Sequence, residues 1–476
     1  MMLFPKSESM MSLRVASGIN VCSPAVQPIG RMMMKLRRSQ SGRKPQHRIF
    51  LLRLAPIAAA VFGLIGPANS AISVWSGAGD PDPPFWDLSE NWIAGRPPLS
   101  FGDSVLLGAA DTTIRLGNWN LTNLAGSGNL AVSGGSLEIG GGLDLGGLTI
   151  GPDTSVGGSG SLKTGSLEWQ TNSTLGLAES VGGLTTVSGL TTLGRGGSGN
   201  TLAFGHSPQM DGDAVWNASN TLSIGGAGVS GGVAYGPSTV TLAAGKTLTV
   251  NGLSNGAAIY GEGSFINAGT VTVTSSSLTI ATNFVNAGTL DVQAGTSIQL
   301  PAVFTNPGRL MGAGTFYVGE MTNAGHISPG ESPGTLSLVG DLTQISQGVL
   351  DVELESPSSF DLLQVSGSTN LGGTLNIVCY ADCHLAVGQS FKILDGQPNQ
   401  LNGSFDNIAL LGFATGHFSV VYDRVDGDVM LNVTEATLPA AVVPEPSSWA
   451  FLTAGLMVLS ALRRRADSRP RRGSRK

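Results

Sequence analysis

Four related segments restrict this chain more than any other feature. Phe265-Ile-Asn267-Ala-Gly269-Thr-Val271 returns as Phe284-Val-Asn286-Ala-Gly288-Thr-Leu290. It returns again as Phe304-Thr-Asn306-Pro-Gly308-Arg-Leu310 and as Met321-Thr-Asn323-Ala-Gly325-His-Ile327. The steps are 19, 20 and 17 residues. A period near 20 residues, built from short apolar alternations and Gly turns, predicts a β-solenoid. Successive coils then stack at about 4.8 Å, the ordinary spacing between strands. Stacking in register would align Phe265, Phe284, Phe304 and Met321 as an internal apolar column. It would align Asn267, Asn286, Asn306 and Asn323 as a ladder whose amides bond the coils above and below. The glycines are expected to supply the positive φ of a coil corner. Two packed antiparallel β-sandwich domains would also explain the strands, but give no reason for aligned Asn and Gly.

The surrounding chain obeys the same rule. Leu137-Glu138-Ile139, Leu148-Thr149-Ile150, Thr239-Val240-Thr241-Leu242 and Thr247-Leu248-Thr249-Val250 alternate with period two between Gly, Ser and Asn. Gly alone accounts for 69 of 476 residues, and charged residues for 12%. That palette disfavours helices. An apolar fraction of 41% argues against disorder. The fold class expected is all-β, a single-stranded parallel β-helix of about 17 coils, spanning roughly 80 Å. Short caps close its ends, with a signal helix before it and a transmembrane-like helix after it.

Charge is unevenly placed. The whole chain carries −6, but residues 71–443 hold eight basic against 29 acidic residues, a net −21. Such a body repels nucleic acid and anionic lipid. The remaining basic residues lie at the two ends.

Those ends read as membrane-seeking segments. Ile49 to Gly66 is apolar apart from Arg53 and two prolines, follows a basic stretch, and leads to Ala68-Asn69-Ser70-Ala71. This order reads as a secretory signal with cleavage between Ser70 and Ala71. Met32, Met33 and Met34 offer alternative starts, so residues 1–31 are expected to precede the true one. At the other end, Val443-Pro444-Glu445-Pro446 precedes the apolar run Trp449 to Leu462, and Arg463-Arg464-Arg465 follows it. As a helix the run spans about 21 Å, short against roughly 30 Å of hydrocarbon. Arginines after it would stay on the cytoplasmic side.

This tail resembles the PEP-CTERM sorting signal of Gram-negative bacteria. The resemblance implies recognition by an exosortase, passage through the inner membrane, and delivery to the cell surface or an exopolysaccharide matrix. The body has likenesses of its own. Phe85-Trp86-Asp87-Leu88-Ser89-Glu90-Asn91-Trp92, with Gly102-Asp103-Ser104-Val105, resembles the opening of bacterial surface proteins with autotransporter-type repeats. Ser328-Pro329-Gly330 and Leu371-Gly372-Gly373-Thr374-Leu375 are similar to the end of such passengers. The Trp-rich segment is expected to be a cap sealing the first coil rather than a sugar-stacking platform. In place of a membrane barrel, only a linker and the sorting tail follow.

The expected divisions are a signal region at 1–70, a Trp-rich cap at 71–110 and solenoid repeats at 111–345. A C-terminal β region at 346–435 closes on a hairpin, Phe418–Tyr422 against Val429–Val433, turning at Asp423–Asp428. A linker at 436–442 and the tail at 443–476 complete the chain. Cys379 and Cys383 are expected to form a disulfide clipping a tight hairpin end. No catalytic constellation is visible, and no cofactor or metal is expected. Asp211 and Asp213 form the tight acid pair of the central coils, and Asp423, Asp426 and Asp428 belong to a turn rather than a calcium loop. The function expected is a secreted, non-enzymatic structural or adhesive protein, with exopolysaccharide as a partner. A polysaccharide lyase or hydrolase on the same scaffold is the alternative.

Overall fold

The structure is a computed structural model that describes residues 71–439, apart from 78–84, 99–101, 171, 176–183, 196–200, 205–206, 218–220, 226–237, 252–255 and 382. The expected signal helix, the cleavage residue Ser70, the motif Val443 to Pro446 and Arg463 to Arg465 lie outside the described residues. The described residues fall within one compact unit.

That unit is all-β: a parallel β-solenoid of about 11 coils. Among the described residues the one helical segment is a 3-10 turn, Ser89–Asn91. Each coil contributes in turn to three parallel ladders. Ala257–Asn267 shows the order. Its first half pairs with Leu278–Ala281 in one ladder, and Ser264–Asn267 pairs with Asn283–Asn286 in the next. Thr270–Val273 then pairs with Thr289–Val292 in the third. The ladder holding Asn267 is termed the first, that holding Val271 the second and that holding Ile259 the third. Gly261, at φ +120°, makes the bend between the two halves of Ala257–Asn267.

The core is the stacking of identical ladder positions. In the second ladder Leu248, Val271, Leu290, Leu310, Ile327, Leu350 and Leu375 follow one another in register, and all are buried. Alternate residues face solvent, as period two demands.

The Asn ladder is formed. Asn267 donates to Asn286 Oδ1 at 2.8 Å, Asn286 to Asn306 Oδ1 at 3.0 Å and Asn306 to Asn323 Oδ1 at 3.0 Å. All four are fully buried. The second hydrogen of each amide goes to a backbone carbonyl, as from Asn267 to Thr289 O at 2.8 Å. The ladder runs one rung further than the repeat predicts, because Asn323 also donates to Gln344 Oε1 at 3.2 Å. At its other end Leu242 occupies the rung before Asn267, so Asn267 Oδ1 is left without a partner.

The apolar column is formed with one exception. Phe265, Phe304 and Met321 are buried, and the rings of Phe265, Phe284 and Phe304 stack at 5.5 and 5.6 Å. Phe284 is only half-buried. No strand pairing joins Asn283–Asn286 to Val303–Asn306. At the equivalent corners Ala287 and Ala324 donate their N–H to the Asn267 and Asn306 carbonyls, but Pro307 has no N–H for Asn286. Side chains alone carry the stack across this gap, which opens a groove of about 490 Å³ between Phe284 and Phe304.

Three expectations need correction. The Asn-x-Gly glycines do not adopt positive φ. They are required because a Cβ on Gly288 or Gly325 would lie 2.0 Å from the carbonyl oxygen of Gly269 or Gly308, one coil away. The count of 17 coils was too high, because steps lengthen between 184 and 264, where Leu184 aligns with Ser207, Gln209 with Thr241 and Thr239 with Ser264, and again towards the end, where Thr335 aligns with Leu362 and Thr374 with Asn407. The ladders also reach into the expected cap and C-terminal regions. Ile72–Val74 and Ser104–Gly108 are already rungs of the first ladder, and the second continues to Asn407–Leu411. Finally, residues 436–439 belong to a strand, Asp428–Pro439, rather than to a linker.

Asn306→Ala should lower unfolding free energy by about 2–4 kcal/mol, since it strands one amide hydrogen of Asn286 and Asn323 Oδ1 in the core. Gly288→Ala should be at least as damaging, because the clash is with backbone. Denaturant midpoints by circular dichroism test both.

Candidate functional site

The outward face of the second ladder gathers the densest polar cluster. Arg309, His326 and Asp351 project from three consecutive coils, positioned by the pairing of Arg309 with His326 and of Ile327 with Leu350. Asp351 is the hub. His326 Nδ1 lies 2.9 Å from Oδ2, Ser328 donates to Oδ2 at 2.9 Å, and Asn376 donates to Oδ1 at 2.7 Å. Arg309 Nη1 lies 3.3 Å from Oδ2 and also bonds Ser328 Oγ. Burial pushes the Asp351 carboxyl up, but the bonds from His326, Asn376 and Ser328 outweigh it and hold the group below its usual range.

Beside this hub lies a cavity of about 280 Å³, lined by Arg309, Ser328, Asp351, Glu353 and Asp361 with Met311, Val378 and Leu411. Asp361 is 1% exposed. Its Oδ1 accepts the Gly334 N–H at 2.8 Å and its Oδ2 the Glu353 N–H at 2.9 Å. It therefore pins the Pro-Gly loop at 330–334 to the neighbouring strand. Desolvation dominates its titration and pushes it up to about 7, aided by the charges of Glu353 and Asp351. Glu353 Oε2 is buried with no hydrogen-bond partner.

The remaining candidates are distributed elsewhere. Asp211 accepts from Gln209 at 2.8 Å and Asp213 from the Thr247 N–H at 3.0 Å, so this acid pair secures coil corners. Asp423 Oδ1 accepts the N–H groups of Val425 and Asp426 at 3.0 and 3.2 Å, and Asp428 pairs with Lys392 at 2.7 Å. This is a turn, and it joins the antiparallel strands Phe413–Asp423 and Asp428–Pro439. Among the described residues no group of His, Cys, Asp and Glu is arranged to hold a metal ion. Trp75, Trp86 and Trp92 are buried, with edge-to-face contacts at 4.9 Å between Trp92 and each of the others. Their faces are spent on one another and are not offered to a ligand. Cys379 and Cys383 form a disulfide with Cα atoms 5.5 Å apart. It does not clip a hairpin end. It closes the turn that leaves Thr374–Cys379 of the second ladder for Ser390–Asp395 of the third. Ala71 is exposed at the start of the described chain.

Sequence reasoning missed the Arg309–His326–Asp351 column. A signal existed, because Arg309 and His326 each stand three residues after a ladder Asn. The same register that stacks Asn306 on Asn323 stacks these two. Asp361 gave no signal, since its partners lie 8 and 27 residues away.

No protein-family model matches the chain, and no curated protein matches it.

The two carboxyls should pull stability in opposite senses. Asp361 binds its proton more tightly folded than unfolded, so its contribution is present at low pH and is lost as pH rises through about 7. Asp351 contributes above its unfolded value and loses that contribution as pH falls through its lowered folded value. From pH 5 to pH 8 the wild type should lose about 1–3 kcal/mol relative to Asp361→Asn. Denaturant titration of both proteins at each pH measures this.

Proposed function

We propose that this chain is an exported, non-enzymatic, acidic β-solenoid that serves as a structural or adhesive component of the surface or exopolysaccharide matrix of a Gram-negative bacterium. Its leader takes it to the inner membrane. An exosortase processes it at Val443-Pro444-Glu445-Pro446, with Trp449 to Leu462 and Arg463 to Arg465 as the transient membrane hold. The observation that supports this reading is the continuous strand pairing of the second ladder from Thr112–Ile114 to Asn407–Leu411, in a chain whose two ends read by sequence as membrane-seeking. Such a scaffold offers long repetitive faces suited to many weak contacts. Its net charge of −21 over residues 71–443 favours solubility and repels nucleic acid.

A polysaccharide-active enzyme is the second reading, favoured by the cavity that joins Arg309 to Asp351, Glu353 and Asp361. Against it, Asp361 spends both oxygens on backbone N–H groups, and Asp351 is held by His326, Ser328 and Asn376 and ion-paired with Arg309.

Fractionation and mass spectrometry of the mature C-terminus, with and without the sorting enzyme, test the proposal. The expected product ends near Pro446 only where the enzyme is present. Retention of Arg465 in both strains overturns it. Polysaccharide turnover that disappears in Glu353→Gln would instead establish the enzyme.

A further inference from the structure

The strand Asp428–Pro439 is attached to the solenoid in two stretches. Its first half pairs antiparallel with Ser390–Asp395 of the third ladder, from Leu394 opposite Val429 to Ser390 opposite Asn432. Val433 ends that stretch, donating its N–H to the Gln389 carbonyl and accepting the Gly388 N–H, both at 2.9 Å. Beyond Val433 the attachment is made by Thr437. Its Oγ1 donates to the Cys383 carbonyl at 2.7 Å and accepts the Leu385 N–H at 2.8 Å. Its own N–H donates to the Leu385 carbonyl at 2.9 Å. Cys383, Leu385 and Thr437 are all buried.

Thr437 therefore grips residues, Cys383 and Leu385, that belong to no strand. The disulfide is what gives them a fixed place. Cys379 ends Thr374–Cys379 and is locked into the second ladder opposite Leu354, whose carbonyl also accepts the Tyr380 N–H at 3.0 Å. The bond from Cys379 to Cys383 carries that fixed position four residues along the chain, to the point where Thr437 takes hold. Without it, the stretch between Tyr380 and Gly388 has no ladder to register it against the strand above.

We propose that Cys379–Cys383 is a redox latch on the last strand: the oxidised pair holds residues 434–439 against the solenoid, and reduction by a dithiol releases them while the ladders stay in place. The chemistry is thiol–disulfide exchange. Cys379 is half-buried and Cys383 fully buried, so the reductant's thiolate attacks Cys379 Sγ. The Sγ–Sγ bond breaks, and Cys383 leaves as a thiolate that takes up a proton. The reductant's second thiol, giving up its proton, then displaces Cys379, which is protonated in turn. The protein has gained two electrons and two protons, and the reductant departs as its own disulfide. The restraint lost on opening so short a ring is worth about tenfold or more in the docking equilibrium. The proposal is independent of the export reading.

Amide exchange of the full chain in a Cys22→Ser background tests this, before and after complete reduction by dithiothreitol, with thiol alkylation as the measure of completeness. Peptides covering 383–389 and 434–439 should exchange about tenfold faster once reduced. Peptides covering 286–312, in the middle of the solenoid, should keep their protection. Cys379→Ser/Cys383→Ser should give the same pattern without reductant. Thr437→Val, which keeps the disulfide and loses the hydroxyl, should speed exchange in 383–389 in the oxidised chain. Unchanged protection of 383–389 and 434–439 after complete reduction overturns the proposal, because packing alone would then hold the strand. Equal acceleration of 286–312 overturns it as well, because the disulfide would then support the whole fold rather than its last half-strand.

Discussion

Everything in this molecule depends on hydrogen bonds made between coils rather than within them. A strand such as Thr289–Val292 has its backbone partners in Thr270–Val273 before it and Arg309–Met311 after it. No coil can satisfy its own polar backbone, so each is stable only as part of the stack. Identical positions are then forced together, for good or ill. Apolar residues at one position become a core column. An amide at one position becomes a ladder, provided that every neighbour is also an amide. Where Leu242 interrupts the series, the next amide oxygen is stranded in the interior.

The stack also explains where irregularity is tolerated. Pro307 removes one backbone donor, and the first ladder loses a pairing there. The chain stays in register because Asn286 still reaches Asn306 and Phe284 still stacks on Phe304. Side-chain ladders and backbone ladders are thus two supports for one register, and local failure of one leaves the other in place. The same redundancy lets the outward face vary. Threonines at the position after the corner give way to Arg309 and His326, which gather a carboxylate hub without disturbing the columns beneath.

Solenoid ends are a separate physical problem, because stacking has no natural stop. Here the chain uses three different solutions. Buried indoles overlie the first coil, an antiparallel hairpin covers the third ladder, and a guanidinium satisfies the carbonyls of the first. Among the described residues the outer edge of the second ladder, Asn407–Leu411, has no strand paired beyond it.

Much of this was legible in the sequence, and the reason is periodicity. Period-two alternation fixed the strands, and the Asn-x-Gly spacing of about 20 residues fixed the register of Asn267, Asn286, Asn306 and Asn323, because stacked coils convert equal sequence position into spatial contact. The closing hairpin was readable from its Asp-Gly turn for a similar local reason. Tertiary structure alone decided what periodicity does not encode. It extended the amide ladder to Gln344, where both residue type and spacing depart from the repeat. It showed that the corner glycines answer to a carbonyl one coil away rather than to their own φ. It joined Asp361 to Gly334 and Glu353, and Arg424 to the first ladder, through contacts between segments that share no repeat position. A one-dimensional pattern specifies how coils stack; how the stack begins, ends and charges its surface depends on distances that only the folded chain brings within reach.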